Sequence, residues 1–205
     1  MEIRQAIAQV SEIRAQLART ELFRGYRSAT IALTGLLGLA AAVAQADWLP
    51  QPTEQLTTYL ALWVGVAMLN VLVIGLQIWT RARRTTLTLA RQTTVFAVGQ
   101  FLPALLAGGL VTLVIAARTP ESAWMLPGLW AILFSQGVFA SCRLLPRAVF
   151  TVGAWYLVCG VLALTWGQGA DALSPWSMGI TFGGGQLLTA AILYFTLERT
   201  DERLD

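Results

Sequence analysis

QTTVFAVGQFLPALLAGGLVTLVIAA, residues 92–117, carries no charged side chain and is bounded by Arg91 and Arg118. A helix needs about 20 apolar residues to cross the hydrocarbon core of a bilayer, and this stretch exceeds that length. Five more windows lack any charge: residues 28–46, 55–80, 122–142, 148–170 and 172–197. The chain has 205 residues, of which 56% are hydrophobic and 12% charged. Soluble domains carry about 25% charged residues, so the solvent of this protein is lipid. The predicted fold is all-α: a six-helix transmembrane bundle at 28–197, preceded by an amphipathic helix and turn at 1–27 and followed by a charged tail at 198–205. The six spans leave no room for a separate soluble domain.

The basic residues orient the bundle. All fourteen are arginines, and there is no lysine. Arg4, Arg14, Arg19, Arg24 and Arg27 precede the first span. Arg81, Arg83, Arg84 and Arg91 lie between the second and third, Arg143 and Arg147 between the fourth and fifth, and Arg199 and Arg203 after the sixth. Only Arg118 falls on the other side. Cytoplasmic loops retain arginine, so both termini are expected in the cytoplasm of a bacterial inner (plasma) membrane protein. An even number of spans fits that expectation. A rival reading takes Ala44-Gln45-Ala46 as a signal cleavage site, which would leave five spans. The 27 residues before the apolar run, three of them acidic, are long for a signal n-region.

Ile3, Ala6, Ile7, Val10, Ile13 and Leu17 form one stripe at helical spacing. One reading is an interfacial helix on the inner leaflet. The other is a docking or dimerisation face of Ile3, Ile7, Val10, Ile13 and Leu17, because Ile3, Val10, Ile13 and Leu17 also fit an a/d register. The net charge of +3 does not point to nucleic acid, since the arginines border apolar segments. The expected partners are the lipid bilayer, and a second copy or a cytoplasmic protein.

The inventory of groups excludes much chemistry. Histidine is absent, which removes bis-histidine haem, serine–histidine pairs and histidine proton relays. No span contains a carboxylate, which argues against ion-coupled antiport through an intramembrane Asp or Glu. Gly183-Gly184-Gly185 lies in an apolar run and lacks the lysine of a phosphate loop. Cys142 and Cys159 are the only cysteines, too few for a usual zinc site. No cofactor, metal site or enzymatic activity is expected.

Neutral polar residues remain inside the spans. Asn70, Gln100, Gln136 and Gln186 are the candidate polar interior. Such amides commonly hydrogen-bond between helices; alternatively they line a site for a neutral or lipophilic molecule, with Trp63 and Trp130 as apolar walls. The second possibility would make the chain a transporter or the substrate-binding subunit of one. Gly179 and Gly183, the small face Gly35, Gly38 and Ala42, and the pair Gly153 and Gly160 mark places where helices can approach closely. Pro103 should bend or loosen the third span. Residues 99–104 and 185–190 agree at four of six positions. Read as an inverted repeat, this relates Gln100 to Gln186 by an axis in the membrane plane; such short matches among Gly, Leu and Ala also arise by chance.

The run Ser11-Glu12-Ile13-Arg14-Ala15-Gln16-Leu17-Ala18-Arg19-Thr20, then Phe23-Arg24-Gly25-Tyr26-Arg27-Ser28, resembles the N-terminus of a group of uncharacterised bacterial six-span inner-membrane proteins. There an IRxxLxR helix and an FRG-type turn lead into the membrane. The resemblance implies location and architecture, and mildly favours an interaction role for the N-terminal segment. The leading expectation is a non-enzymatic interaction or regulatory module that docks through its N-terminal amphipathic helix.

Overall fold

The computed structural model describes residues 28–84, 88–142 and 148–198. The described residues are helical, with no strand, and six helices are long and apolar enough to cross a membrane. The protein is thus a multi-pass membrane protein built as an all-α six-helix bundle. Helix α1 is Ser28–Trp48, α2 is Leu56–Arg84 and α3 is Thr88–Arg118. A 3-10 turn, Pro120–Met125, leads into α4, Leu126–Ser141. Helix α5 is Val149–Trp166, and α6 covers residues 175–198. The connection after the second span is mostly helix, since α2 runs on to Arg84 and α3 begins at Thr88. Prolines mark several helix starts at the opposite end: Pro120, Pro127 and Pro175 sit in first turns, where the missing N–H would have had no helical partner. Helix α3 continues through Pro103.

The packing order is α2–α1–α6–α5–α4–α3, and among the described residues α2 and α3 make little contact with each other. Burial follows that order. Only 11% of the α2 window and 6% of the α3 window are buried, against 39% for α1 and 44% for Pro120–Ser141. Helices α2 and α3 are therefore the lipid-facing flanks, and their exposed Met68, Leu72, Leu106, Leu110 and Leu113 suit hydrocarbon.

The small residues meet one another. A Cβ on Gly35 would lie 2.9 Å from the Gly183 carbonyl oxygen, and one on Gly179 would lie 2.6 Å from the Ala42 Cβ. The small face of α1 thus packs directly on the GxxxG of α6. Between α4 and α5 the contact is equally tight: a Cβ on Gly128 would be 2.8 Å from the Gly160 oxygen, and one on Gly160 would be 2.9 Å from the Gly128 oxygen. Where lipid removes the hydrophobic drive between helices, such close backbone approach supplies the packing energy. A ring cluster ties the other elements together. Phe134 of α4 stands 5.4 Å from Phe101 of α3, 4.7 Å from Tyr156 of α5 and 5.8 Å from Phe182 of α6, between centroids. These are tilted or edge-on geometries, which favour aromatic pairs.

Helix α6 is irregular. A turn of α-helix, Pro175–Met178, gives way to π-helix at Gly179–Gly184, returns to α-helix at Gly185–Leu193 and ends as π-helix at Tyr194–Glu198. The π segment coincides with the glycines that press on α1. Thr181 O, which also accepts the Gly185 N–H, accepts the Trp155 indole N–H at 3.2 Å.

That bond belongs to a pattern. Three pairs, α1–α2, α3–α4 and α5–α6, are each stapled by one tryptophan: Trp63 of α2 donates to Gln45 Oε1 of α1 at 2.7 Å, and Trp130 of α4 donates to Thr112 Oγ1 of α3 at 2.8 Å. Trp155 does the same between α5 and α6. The bundle is thus three hairpins, each with its own indole staple. Thr112 also donates to Gly108 O at 2.7 Å. Thr112→Val leaves the Trp130 N–H without its acceptor and should cost about 1–2 kcal/mol. Trp130→Phe in that background should recover part of the loss, read as unfolding midpoints in bicelles; equal midpoints for wild type and Thr112→Val would remove the staple's energetic role.

Candidate functional site

The three hairpin turns gather at one end of the bundle, opposite Ser28 and Glu198. Residues 49–55, 119–125 and 167–174 form it, and a single cleft touches all three: Thr53, Glu121, Trp124, Gln168 and Leu173 are among its walls. This end carries Asp47, Glu54, Glu121 and Asp171 against one basic residue, Arg118.

Gln45 organises the floor. It sits in the last turn of α1, is 1% exposed, and uses both ends of its amide. Its Oε1 accepts from Trp63, itself 3% exposed, and its Nε2 donates to Leu173 O at 2.8 Å. Leu173 needs that hold. Its φ of 58° lies in the left-handed region, which costs a leucine about 1–3 kcal/mol and persists only where surroundings fix it. Here its carbonyl is tied to Gln45, and its side chain is buried with Tyr59, Trp63, Leu49 and Met178. Gln45 therefore joins α1, α2 and the third turn in one network. A chain cut after Ala46 would separate Gln45 from both partners. The Tyr59 hydroxyl in the same cluster is buried without a hydrogen-bond partner.

The four amides singled out from the sequence do not converge, and among the described residues no hydrogen bond joins any two of them. Asn70 lies about 14 residues, or 21 Å, along α2 from Leu56 at 1.5 Å per residue. It is half-buried, and its Oδ1 is screened without a partner. Gln100 is half-buried on α3, about 18 residues or 27 Å from the turn end at Arg118. Gln186 is half-buried on α6, and its Cβ would lie 3.2 Å from a Cβ on Gly35. It stands about 16 Å from the turn end and about 18 Å from the other end. Gln136 is the clear correction. It is exposed on the outer face of α4, not interior, and reaches only Ser135 Oγ, at 3.5 Å. Its neighbours Ser135 and Gly137 are buried, so the helix register turns the amide outward.

Trp63 and Trp130 are committed to hairpin staples and to packing; Trp130 also lies against the cluster around Trp63. Trp48, Trp79, Trp166 and Trp176, near helix ends, are exposed, whereas Trp124 is half-buried; the Arg83 guanidinium lies 3.9 Å over the Trp79 ring. The docking face of Ile3, Ile7, Val10, Ile13 and Leu17 falls outside the described residues. Sequence reasoning missed Gln45 and Thr112. A signal was there: Gln45 and Trp63, and likewise Thr112 and Trp130, are 18 residues apart and bracket a turn. In comparisons with protein-family models, curated proteins and solved structures, none matches this chain.

Proposed function

We propose that this chain is a non-enzymatic membrane module whose work is association, with a second copy of itself as the partner. The carrying observation is Gln136, an amide turned outward within the apolar span Pro120–Ser141. An amide facing hydrocarbon alone costs a few kcal/mol. An amide both donates and accepts, so a two-fold axis along α4 pairs Gln136 with its own copy. The a/d register of Ile3, Val10, Ile13 and Leu17 is self-complementary in the same sense, and a parallel dimer with both N-termini in the cytoplasm brings those stripes together. The N-terminal helix is then the docking element and α4 the intramembrane contact. The scattered amides and the ring-filled level of Phe101, Phe134, Tyr156 and Phe182 weigh against a polar transport path between the helices.

The test is the mass of the full-length protein in nanodiscs or mild detergent, by native mass spectrometry over a concentration series. A dimer is expected. Gln136→Leu should raise its dissociation constant about 3- to 30-fold, from about 0.6–2 kcal/mol per interhelical hydrogen bond, and deletion of residues 1–20 should weaken it further. A monomer at every concentration overturns the reading, as does a dimer indifferent to both changes. A monomer that captures a cytoplasmic protein through residues 1–20 would assign the docking face to a different partner.

A further inference from the structure

The cleft between the three turns has a volume of about 420 Å³, within the range of small-molecule sites. Its chemistry is set by the 3-10 turn Pro120–Met125. At three residues per turn, side chains at i and i+3 eclipse, so Glu121 and Trp124 stand on the same face, and both line the cleft. A carboxylate beside an indole is the pairing that recognises an organic ammonium: the anion supplies charge, and the ring face supplies cation–π attraction. Thr53 and Gln168, on the other two turns, add a hydroxyl and an amide to the same cleft. No basic side chain lines it, and four acids against Arg118 give this end a field that attracts cations. The floor is preformed, because Leu173 is fixed in its left-handed conformation by Gln45. A ligand therefore meets at least this part of the floor already ordered, which favours affinity.

We propose that this cleft binds a small organic ammonium, a protonated or quaternary amine, between the Glu121 carboxylate and the Trp124 indole. Charge and ring act together, so a neutral molecule of the same shape is discriminated against. The site lies at the turn end of the bundle, opposite Ser28 and Glu198, and shares no residue with the association surfaces proposed on α4 and residues 1–20.

The experiment is isothermal titration of the full-length protein in nanodiscs with choline, and in parallel with 3,3-dimethyl-1-butanol, the uncharged isostere. Saturable choline binding is expected, with the isostere at least about 10-fold weaker, a difference of about 1.4 kcal/mol. Glu121→Gln should weaken choline at least about 10-fold, and Trp124→Leu by a similar factor, while Trp124→Phe retains part of the affinity. Thermal melts of each variant establish that the fold is kept; Glu121 is exposed, so its substitution leaves the bundle intact. Absence of saturable binding overturns the proposal. So does equal affinity for the two probes, or choline binding unchanged in Glu121→Gln.

Discussion

Gln45→Leu is expected to lower the unfolding free energy by about 2–5 kcal/mol. The substitution keeps the volume and removes only the polar end. Two groups then lose their partners inside the bundle, the Trp63 indole N–H and the Leu173 carbonyl. Each orphaned buried group costs about 1–3 kcal/mol. The loss extends beyond the two bonds, because Leu173 holds an unfavourable φ that the Gln45 bond helps to impose. The measurement is unfolding in bicelles, with a double-mutant cycle through Trp63→Phe. Phenylalanine has no N–H to orphan, so Trp63→Phe should cost less in the Gln45→Leu background than in the wild type. Additivity within about 0.5 kcal/mol would show that the two side chains are energetically independent, against the geometry.

Gly160→Leu should do more, and by shape alone. The first added carbon would already lie 2.8 Å from Ile132 Cγ1 and 2.9 Å from the Gly128 carbonyl oxygen. A side chain there can yield, but a backbone carbonyl on a facing helix cannot, so α4 and α5 must separate. With the α1–α6 contact, this is one of the two extensive helix contacts of the bundle. Overpacking commonly costs about 1–3 kcal/mol; with three further carbons at a backbone contact, the folded fraction should collapse. Gly65→Leu and Gly75→Leu on α2 are the controls. Neither added Cβ has a neighbour within 4 Å, and each removes a glycine from a helix interior, so neutral or slightly stabilised proteins are expected. Monodispersity after size exclusion and the unfolding midpoint separate the two outcomes. A stable, monodisperse Gly160→Leu would mean that the α4–α5 crossing is looser than described.

The spans were legible because a bilayer imposes a simple demand. Uninterrupted apolar length is visible in sequence, and windows such as 92–117 match the helices found. The small-residue faces were legible for a similar reason, since glycine at helical spacing has few other uses in lipid. Which face meets which was not: that Gly35 would find Gly183, and Gly128 find Gly160, depends on pairings between distant segments. The polar side chains were read least well. Depth along a helix follows from counting, but direction does not, and α4 has a nearly apolar circumference that gives no moment to orient it. Gln136 was therefore placed inside when its register turns it out. In the sequence Gln45 stands out only within the Ala44-Gln45-Ala46 cleavage-site reading, whereas its amide is the link among three elements. The conversion of Gly179–Gly184 to π-helix had no local signal beyond glycine content.

The packing order also sets a timetable for synthesis. A ribosome delivers α1 first and α6 last, yet these two helices share the close glycine contact. The hairpin staples impose no such wait: Trp63 reaches Gln45, and Trp130 reaches Thr112, as soon as the second helix of each pair has entered the bilayer. The glycine groove of α1 has to stay open to lipid until nearly the whole chain has been translated. The three staples can thus form pair by pair, whereas the α1–α6 closure is a late event that any truncation before residue 175 prevents.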